Sequence, residues 1–399
     1  MMIKEKIKAK SKEIAAWVID IRQHIHAHPE LSFQEVETSK YIQSKLREIG
    51  VEYETGFVNT GIVATVYANH PGSRTLALRA DFDALPIQET NNCSYASTNE
   101  GVMHACGHDA HTAALLGTAR IIHDMKEELS GTFKFIFQPA EEKLPGGASL
   151  MIKEGLFEKH PADAILAQHV TPQIDTGKVG FRPGMFMAST DEIYIDVIGK
   201  GGHAAMPHLY NNPLLIASEL LLKLNEMFSK DALSNIGVDV PTVLAFGAID
   251  GKGATNVIPD LVSLKGTFRT FDEAWRAKAH ASIQQVCQDL AAKHKARIDC
   301  DIQVGYPFLT NNKELTAKSI ILAKDYLGEE NVLMLEPRMT AEDFAFYSQI
   351  MPACFYRIGT GNSSPGTRHN VHTSTFDIDP ESLEVMVGLM TFLAVQDGK

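Results

Sequence analysis

Apolar residues at the start of the chain recur at helical spacing. Ile14, Trp17, Val18, Ile21 and Ile25 fall on one face, so the first element is an amphipathic helix ending near His28-Pro29. A second helix is predicted over residues 35–49, stopped by Gly50. Beyond it, short apolar runs at 61–67, 75–80, 132–137 and 164–167 read as strands, and 112–125 reads as a helix. Strands alternating with helices predict an α/β layer around a largely parallel sheet.

From about Met187 the rhythm changes. Strands are predicted at 192–198, 242–250, 261–269 and 297–304, with helices at 213–227 and 273–293. The order β-α-β-β-α-β is that of a ferredoxin-like split unit, which forms its own two-layer domain. After Gly305-Tyr306-Pro307 the α/β pattern resumes, with a helix at 314–326, a strand at 353–358 and a helix at 380–395. The expected architecture is one α/β domain (1–186 and 305–399) interrupted by a smaller α+β domain (187–304).

Composition narrows the function classes. A chain of 399 residues suits two or three domains. With 37 Lys+Arg against 49 Asp+Glu the net charge is −12, which offers no basic face for nucleic acid or an anionic membrane. No apolar run approaches the ~20 residues of a membrane span. Positive charge at the N-terminus has no apolar stretch behind it, so no signal peptide is expected. The 5 cysteines (93, 106, 287, 300 and 354) are odd in number and unclustered, unlike a disulfide framework. A cytoplasmic enzyme is the expectation. Of 16 histidines, His104, His108 and His111 share one octet with Cys106 and Asp109, and function is sought there.

Ligands in open α/β sheets bind beyond the carboxyl ends of the strands. Three predicted strands run into chemistry-bearing residues: Asp81 and Asp83, Glu141 and Glu142, and Gln168-His169. Cys106-Gly107-His108 precedes a predicted helix, whose N-terminus favours thiolate. Thiolate, imidazole and carboxylate are the donors of zinc and neighbouring divalent metals. A buried structural cysteine beside capping residues is the alternative, and the surrounding His104, His108, Asp109 and His111 favour metal. His104 and His111 are either ligands or groups that orient ligands. Adjacent side chains in extended chain point apart, so one of Glu141 and Glu142 can bind metal while the other serves as general base. A solvated charged turn is the competing reading there. His203 and His372 carry no signal singly. Gly199, Gly201 and Ala204 nearly match a dinucleotide fingerprint, but helical sequence starts only near Pro213 and Glu219 lies inside that helix, so nucleotide binding is rejected.

Taken together, these segments resemble the M20 metallopeptidases, and within them the amidohydrolase subgroup of N-acyl-L-amino-acid amidohydrolases, hippurate hydrolases and auxin-conjugate (IAA-amino-acid) hydrolases. The resemblance runs nearly end to end, through residues 26–30, 79–86, 104–111, 138–142, 201–204, 256–259, 266–269 and 341–344. It implies a zinc-exopeptidase-like catalytic domain holding two divalent ions, zinc or manganese, with cobalt and nickel as further candidates. The inserted domain is implied to be a lid that also forms a homodimer, with a tetramer as the alternative. By motif match the ligands are Cys106 (bridging), His108, Glu142, His169 and His372, and Glu141 is the general base. Asp83 matches the acid that orients a ligand. The wider family has a histidine where Asp81 stands, and His108 is the candidate substitute. His203, Asn256 and Arg269 are implied to reach the substrate, His203 in a partner subunit's site.

The implied reaction is hydrolysis of an N-acyl-L-amino acid to a carboxylic acid and a free amino acid. An N-acetyl-diaminopimelate deacetylase, a dipeptidase or an aminopeptidase is the alternative within the family. A cysteine hydrolase using Cys106 and a non-catalytic metal- or peptide-binding protein are the alternatives outside it. Two departures touch the pocket and not the ligands: Val170-Thr171-Pro172 follows His169 where the subgroup more often has an aromatic, and no proline precedes Phe376.

Overall fold

The computed structural model describes residues 2–364 and 366–397. They divide into two compact units: Met1–Phe186 with Thr310–Glu336 and Asp343–Lys399, and Met187–Leu309 with Pro337–Glu342. Among the described residues no helix is long and apolar enough to cross a membrane.

The first unit is built on an eight-stranded sheet. Its order is Glu52–Phe57, Gly61–Tyr67, Ser130–Gln138, His70–Asp81, Ala164–Asp175, Ala353–Gly361, Val179–Phe181 and Val332–Met334. The four central strands pair in parallel, and antiparallel pairs lie toward both edges. Phe133, Phe135, Ile136 and Phe137 are all buried, as in a strand covered on both faces. The helix His108–Asp124 is buried over nearly its whole length, packing against the helices Ala15–Ala27 and Ser382–Asp397. Its run of Ala110, Ala113, Ala114, Leu115, Leu116 and Ala119 is apolar around the axis, the signature of an internal helix.

Two expectations are corrected here. A helix Ile3–Glu13 precedes the first expected one; its lysine-rich sequence buries only Ile7 and Ser11, too little for a periodic signal. The strand expected to end at Ala167 continues to Asp175, because the parallel neighbour Ala353–Gly361 stays paired as far as Gly361 opposite Asp175. His169 therefore lies inside a strand, opposite Arg357, and not beyond a strand end.

The second unit is a four-stranded antiparallel sheet in the order Thr242–Asp250, Leu261–Thr270, Asp191–Ile198 and Arg297–Val304. The alternating burial of Asp191–Ile198 marks a sheet with one covered face. The helices Pro213–Met227 and Glu273–His294 cover it, burying Ile216, Leu220, Leu224, Ile283 and Leu290 against Ile193, Ile195, Val197 and Phe268. Their N-termini are capped by the side chains of Asn212 and Asp272, which accept from Leu214 N and Trp275 N.

One ion pair ties this helix layer to the sheet. Buried Asp191 accepts from Arg276 Nε at 3.0 Å, from Arg276 Nη2, and from the Gly305 amide at 3.1 Å, with His280 Nε2 at 2.7 Å. Burial opposes the Asp191 charge, but His280 and Arg276 outweigh it and hold the carboxyl below its ordinary range. Removing the charge leaves the buried guanidinium with only the half-exposed Glu273 as carboxylate partner, and breaking a buried pair costs up to about 3–5 kcal/mol. Asp191→Asn is accordingly expected to lower the unfolding free energy measured by urea titration by up to that amount, and an unchanged unfolding free energy would show the pair to be energetically idle.

Candidate metal centre

The octet that drew attention in the sequence folds as a tight turn entering the buried helix. Gly107, at φ 85°, is the residue before the helix, and a Cβ there would stand 2.4 Å from Val170 Cγ2. Glycine at this position is a packing requirement: it lets the turn close on the strand that carries His169. Cys106 and His108 thus flank the one residue small enough to bring the turn against the sheet.

Cys106, His108 and His169 present one donor atom each within 4.8 Å of one another, and so do Cys106, Glu142 and His372. Cys106 Sγ belongs to both triads. It lies 3.4 Å from His169 Nε2, and Glu142 Oε1 lies 3.2 Å from His372 Nε2 and 3.9 Å from His108 Nε2. All five expected ligands therefore converge. His108 Nε2 is a buried polar atom with no hydrogen-bond partner among the described residues, and the buried Glu142 Oε1 faces only the imidazoles of His372 and His108. Such orphans are rare unless something accepts their lone pairs, and with a sulfur and two further imidazoles they fit a borderline-soft divalent ion.

Neighbouring groups aim these donors. Asp83 sits at the centre: its Oδ1 is 3.2 Å from His108 Nδ1, its backbone carbonyl 2.9 Å from the same nitrogen, and its two carboxylate oxygens accept from the Glu141 and Glu142 amides at 3.0 Å each. Ser32 Oγ donates to it at 2.7 Å. His169 Nδ1 is 2.7 Å from the Val170 carbonyl, which keeps Nε2 turned toward Cys106. His372 has φ 64°, a strained conformation for a residue with a side chain, and its amide is locked onto the Ala105 carbonyl at 2.7 Å.

The remaining histidines of the octet separate clearly. His111 Nε2 accepts from the Val170 amide at 3.0 Å and Nδ1 meets Asp81 Oδ1 at 2.6 Å, so both nitrogens are spent on holding the strand next to His169. Asp81 is itself paired with Arg79. His104 is buried, and burial pushes its pKa down to about 4. Asp109 turns away from the cluster to Arg22 at 2.7 Å and His26 at 2.8 Å. Arg22 also bonds Asp377 at 2.8 Å, which anchors the loop carrying His372.

Among protein groups alone, burial and the Glu142 charge push the Cys106 thiol up. This corrects the expectation that the helix N-terminus would favour thiolate, and it speaks against Cys106 as a free nucleophile. Asp81 and Cys106 overcome burial to draw a proton onto His108, and hydrogen bonds to Cys106 and Glu142 push His372 up to about 10. A cation bound by these donors would compete with protons for them, the usual linkage in a thiolate–imidazole site.

Glu141 lies in the turn after the strand Ser130–Gln138, and its Oε1 is 3.4 Å from the Asp343 amide. Asp343 in turn receives Arg79 Nη2 at 2.7 Å and Gln138 Nε2 at 2.7 Å. Arg79, Gln138 and Asp343 were present in the quoted motifs without a role; a charged residue in the middle of an apolar strand was the available signal. In the second unit, the strand Gly202–His203 pairs with Val257–Ile258, and the Ala204 amide bonds the Asn256 carbonyl at 3.0 Å. His203 and Asn256 therefore lie at one short antiparallel ladder, with His203 exposed. Arg269 is on the strand Leu261–Thr270, its Nη1 donating to the Met339 carbonyl at 3.2 Å.

An α/β sheet that gathers a thiol, three imidazoles and a carboxylate over its parallel strands has the build of a metal-dependent hydrolase of amide bonds. Comparison with known proteins agrees. The family model for peptidase family M20/M25/M40 matches residues 77–396, and the chain belongs to that family. It is 37% identical over 392 residues to IAA-amino acid hydrolase ILR1-like 5 of Arabidopsis thaliana, covering 97% of this chain and 88% of the relative. It is 35% identical to N-acetyl-L-cysteine deacetylase of Bacillus subtilis over 368 residues, 92% of this chain and 84% of the relative. The solved YXEP protein of Bacillus subtilis, described as a dinuclear metal binding peptidase from the M20 family, superposes with TM-score 0.80 at 31% identity, covering 97% of this chain and 99% of that one.

Two predictions come from this geometry. Asp83→Asn removes the charge that fixes the His108 ring and the Glu141–Glu142 turn, and is expected to weaken divalent-metal affinity about 10–100-fold, measured by competition with a chelating dye. Unaltered affinity would show that the ligands orient themselves. The second concerns His26, whose nitrogens face Asp109 and Glu89. Burial and Arg22 oppose its protonation, but the bonds to Asp109 and Glu89 prevail and raise its pKa above 6.5. It then contributes stability that is complete below 6.5 and fades as pH rises through the folded value. Wild type is expected to lose more unfolding free energy than His26→Gln as pH rises above 6.5; parallel curves would mean that His26 is neutral.

Proposed function

We propose that this chain is a two-metal amidohydrolase that cleaves N-acyl-L-amino acids to a carboxylic acid and a free amino acid. The membership of Cys106 Sγ in two donor triads is the observation that carries the reading, since one thiolate shared in this way builds two adjacent cation sites. Cys106, His108 and His169 would hold one ion and Cys106, Glu142 and His372 the other, with zinc or manganese as first candidates. Divalent ions at such sites lower the pKa of water toward about 7 and polarise the amide carbonyl.

The protein's own work is to place protons. Asp83 holds the proton of His108 at Nδ1 and leaves the Nε2 lone pair for the cluster. Glu141, whose backbone is fixed by Asp83, takes a proton from the attacking water on its carboxylate and returns it to the departing amine. In the second unit, His203 is assigned to the developing oxyanion, while Arg269 with Asn256 is assigned to the substrate's carboxylate through charge-assisted bonds. His203 is exposed, which suits a homodimer formed through this unit in which it serves a partner subunit's site. A tetramer is the alternative assembly.

Support for the substrate class comes from the relatives whose names denote cleavage of an amino acid from an acyl group. A second reading, peptide hydrolysis, has its own support: the chain is 35% identical over 399 residues to thermostable carboxypeptidase 2 of Saccharolobus solfataricus.

The test is metal analysis of the purified enzyme coupled to a panel of N-acetyl, N-benzoyl and indole-acetyl amino acids, with simple dipeptides alongside. Hydrolysis of an N-acyl amino acid that EDTA abolishes is the expected outcome; metal-loaded protein inert toward the whole panel would overturn the proposal, and cleavage of dipeptides alone would replace it with the second reading. Glu141→Gln is expected to retain its metal and lose about 10²–10⁴-fold in kcat. A variant with undiminished turnover would remove Glu141 from the role of base.

A further inference from the structure

Glu35 is a buried carboxylate that no step above uses. It sits just before the helix Val36–Ile49, where its side chain makes no helix cap. Its Oε1 accepts the Ala140 amide at 2.9 Å and its Oε2 the Thr60 hydroxyl at 3.3 Å. Asp83 accepts the next two amides, Glu141 and Glu142. Three successive N–H groups thus end on two carboxylates supplied by distant parts of the chain. Ala140 has φ 55°, a left-handed backbone that residues with a Cβ avoid. Its carbonyl is tied to the Gly147 amide at 2.8 Å, and a Cβ on Gly147 would stand 1.8 Å from the Pro139 carbonyl oxygen.

We propose that Glu35 is a positioning residue for Glu141: by holding the Ala140 amide it keeps Ala140 left-handed and so sets the direction in which the next side chain leaves the turn. A buried carboxylate beside Asp83 is costly, and the Ala140 amide is the bond by which it reaches the turn of the acids. Burial and the Asp83 charge push its carboxyl up to about 7. The neutral acid still offers its carbonyl oxygen to Ala140, so glutamine, with the same shape and acceptor, is the conservative replacement. Without that acceptor, the left-handed residue is held only through its carbonyl on Gly147 and the next two amides on Asp83, and Glu141 is freer to turn.

The inference rests on Glu141 being the base, so its test has an arm independent of turnover. Glu35→Ala, Glu35→Gln and the double variant Glu35→Ala/Ala140→Gly are compared with wild type for kcat and KM on N-acetyl-L-cysteine and N-benzoylglycine. Bound metal and amide hydrogen exchange at residues 140–142 of the metal-free protein are measured alongside. Glu35→Ala is expected to exchange at least about tenfold faster at Ala140 and to lose kcat by about tenfold or more, with KM and metal content near wild type. Glu35→Gln is expected to keep most of the activity. Glycine takes the left-handed conformation freely, so Ala140→Gly is expected to restore much of the kcat lost in Glu35→Ala. Normal turnover or unchanged exchange in Glu35→Ala, or Glu35→Gln as impaired as Glu35→Ala, would overturn the proposal. Parallel loss of metal and kcat would overturn it too, by making Glu35 a support of the cation. Should Glu35→Ala not fold, Glu35→Asp draws the acceptor back by one methylene, and full activity in that variant would be equally fatal. If neither substrate is cleaved by wild type, the functional reading fails while the exchange experiment still decides whether Glu35 holds the turn.

Discussion

The centre depends on one buried carboxylate. Asp83 touches His108 through both its side chain and its carbonyl, and it accepts the amides of Glu141 and Glu142. A single anion therefore fixes the imidazole on one strand–helix turn and the two acids on the turn after the neighbouring strand. His108 opens a helix but Glu141 and Glu142 lie in an irregular turn, and hydrogen bonds to one buried carboxylate aim them all. The cost of burying that charge is met by four donors and by the cationic character they draw onto His108.

Around this hub the sheet supplies rigidity and the polar residues supply direction. Arg79, Asp81 and Gln138 are buried at the ends of their strands, and each spends its polar atoms on a neighbour of the site. Arg22 and His26 do the same from the first long helix, reaching Asp109 beneath the octet and Asp377 in the loop of His372. The donor cluster is thus carried on segments from both ends of the chain, and its geometry is a property of the whole first unit.

Much of this was legible before any coordinates. The strands Gly61–Tyr67 and Arg297–Val304 and the helix Pro213–Met227 coincide with their sequence-based bounds, because each has an unbroken period ended by a breaker or a change of pattern. The helix Ile3–Glu13 escaped because its buried face is only two residues wide. The far half of the strand Ala164–Asp175 escaped because Gln168, His169, Thr171 and Pro172 interrupt the apolar run, while pairing to the neighbouring strand overrides that local pattern. Residue types and the family resemblance named all five converging donors. What they left open was orientation: that His111 spends both nitrogens on its surroundings, that Asp109 faces the opposite way, and that Glu35 reaches the turn of the acids across 105 positions of sequence. Those are facts of three-dimensional direction, which periodicity does not encode.

The sulfur common to both triads has a consequence for how the centre can fail. Where two sites keep separate ligands, damage to one leaves the other half-working, and the enzyme can drift through partly metallated states. With both triads holding ions as proposed, an oxidant that converts Cys106 to a sulfinic acid would alter a corner of both in one event, while His111 and Asp109 are committed elsewhere. Inactivation of such a centre is all-or-none for each molecule, so a half-oxidised sample is a mixture of intact and dead enzyme and not a uniformly weakened one.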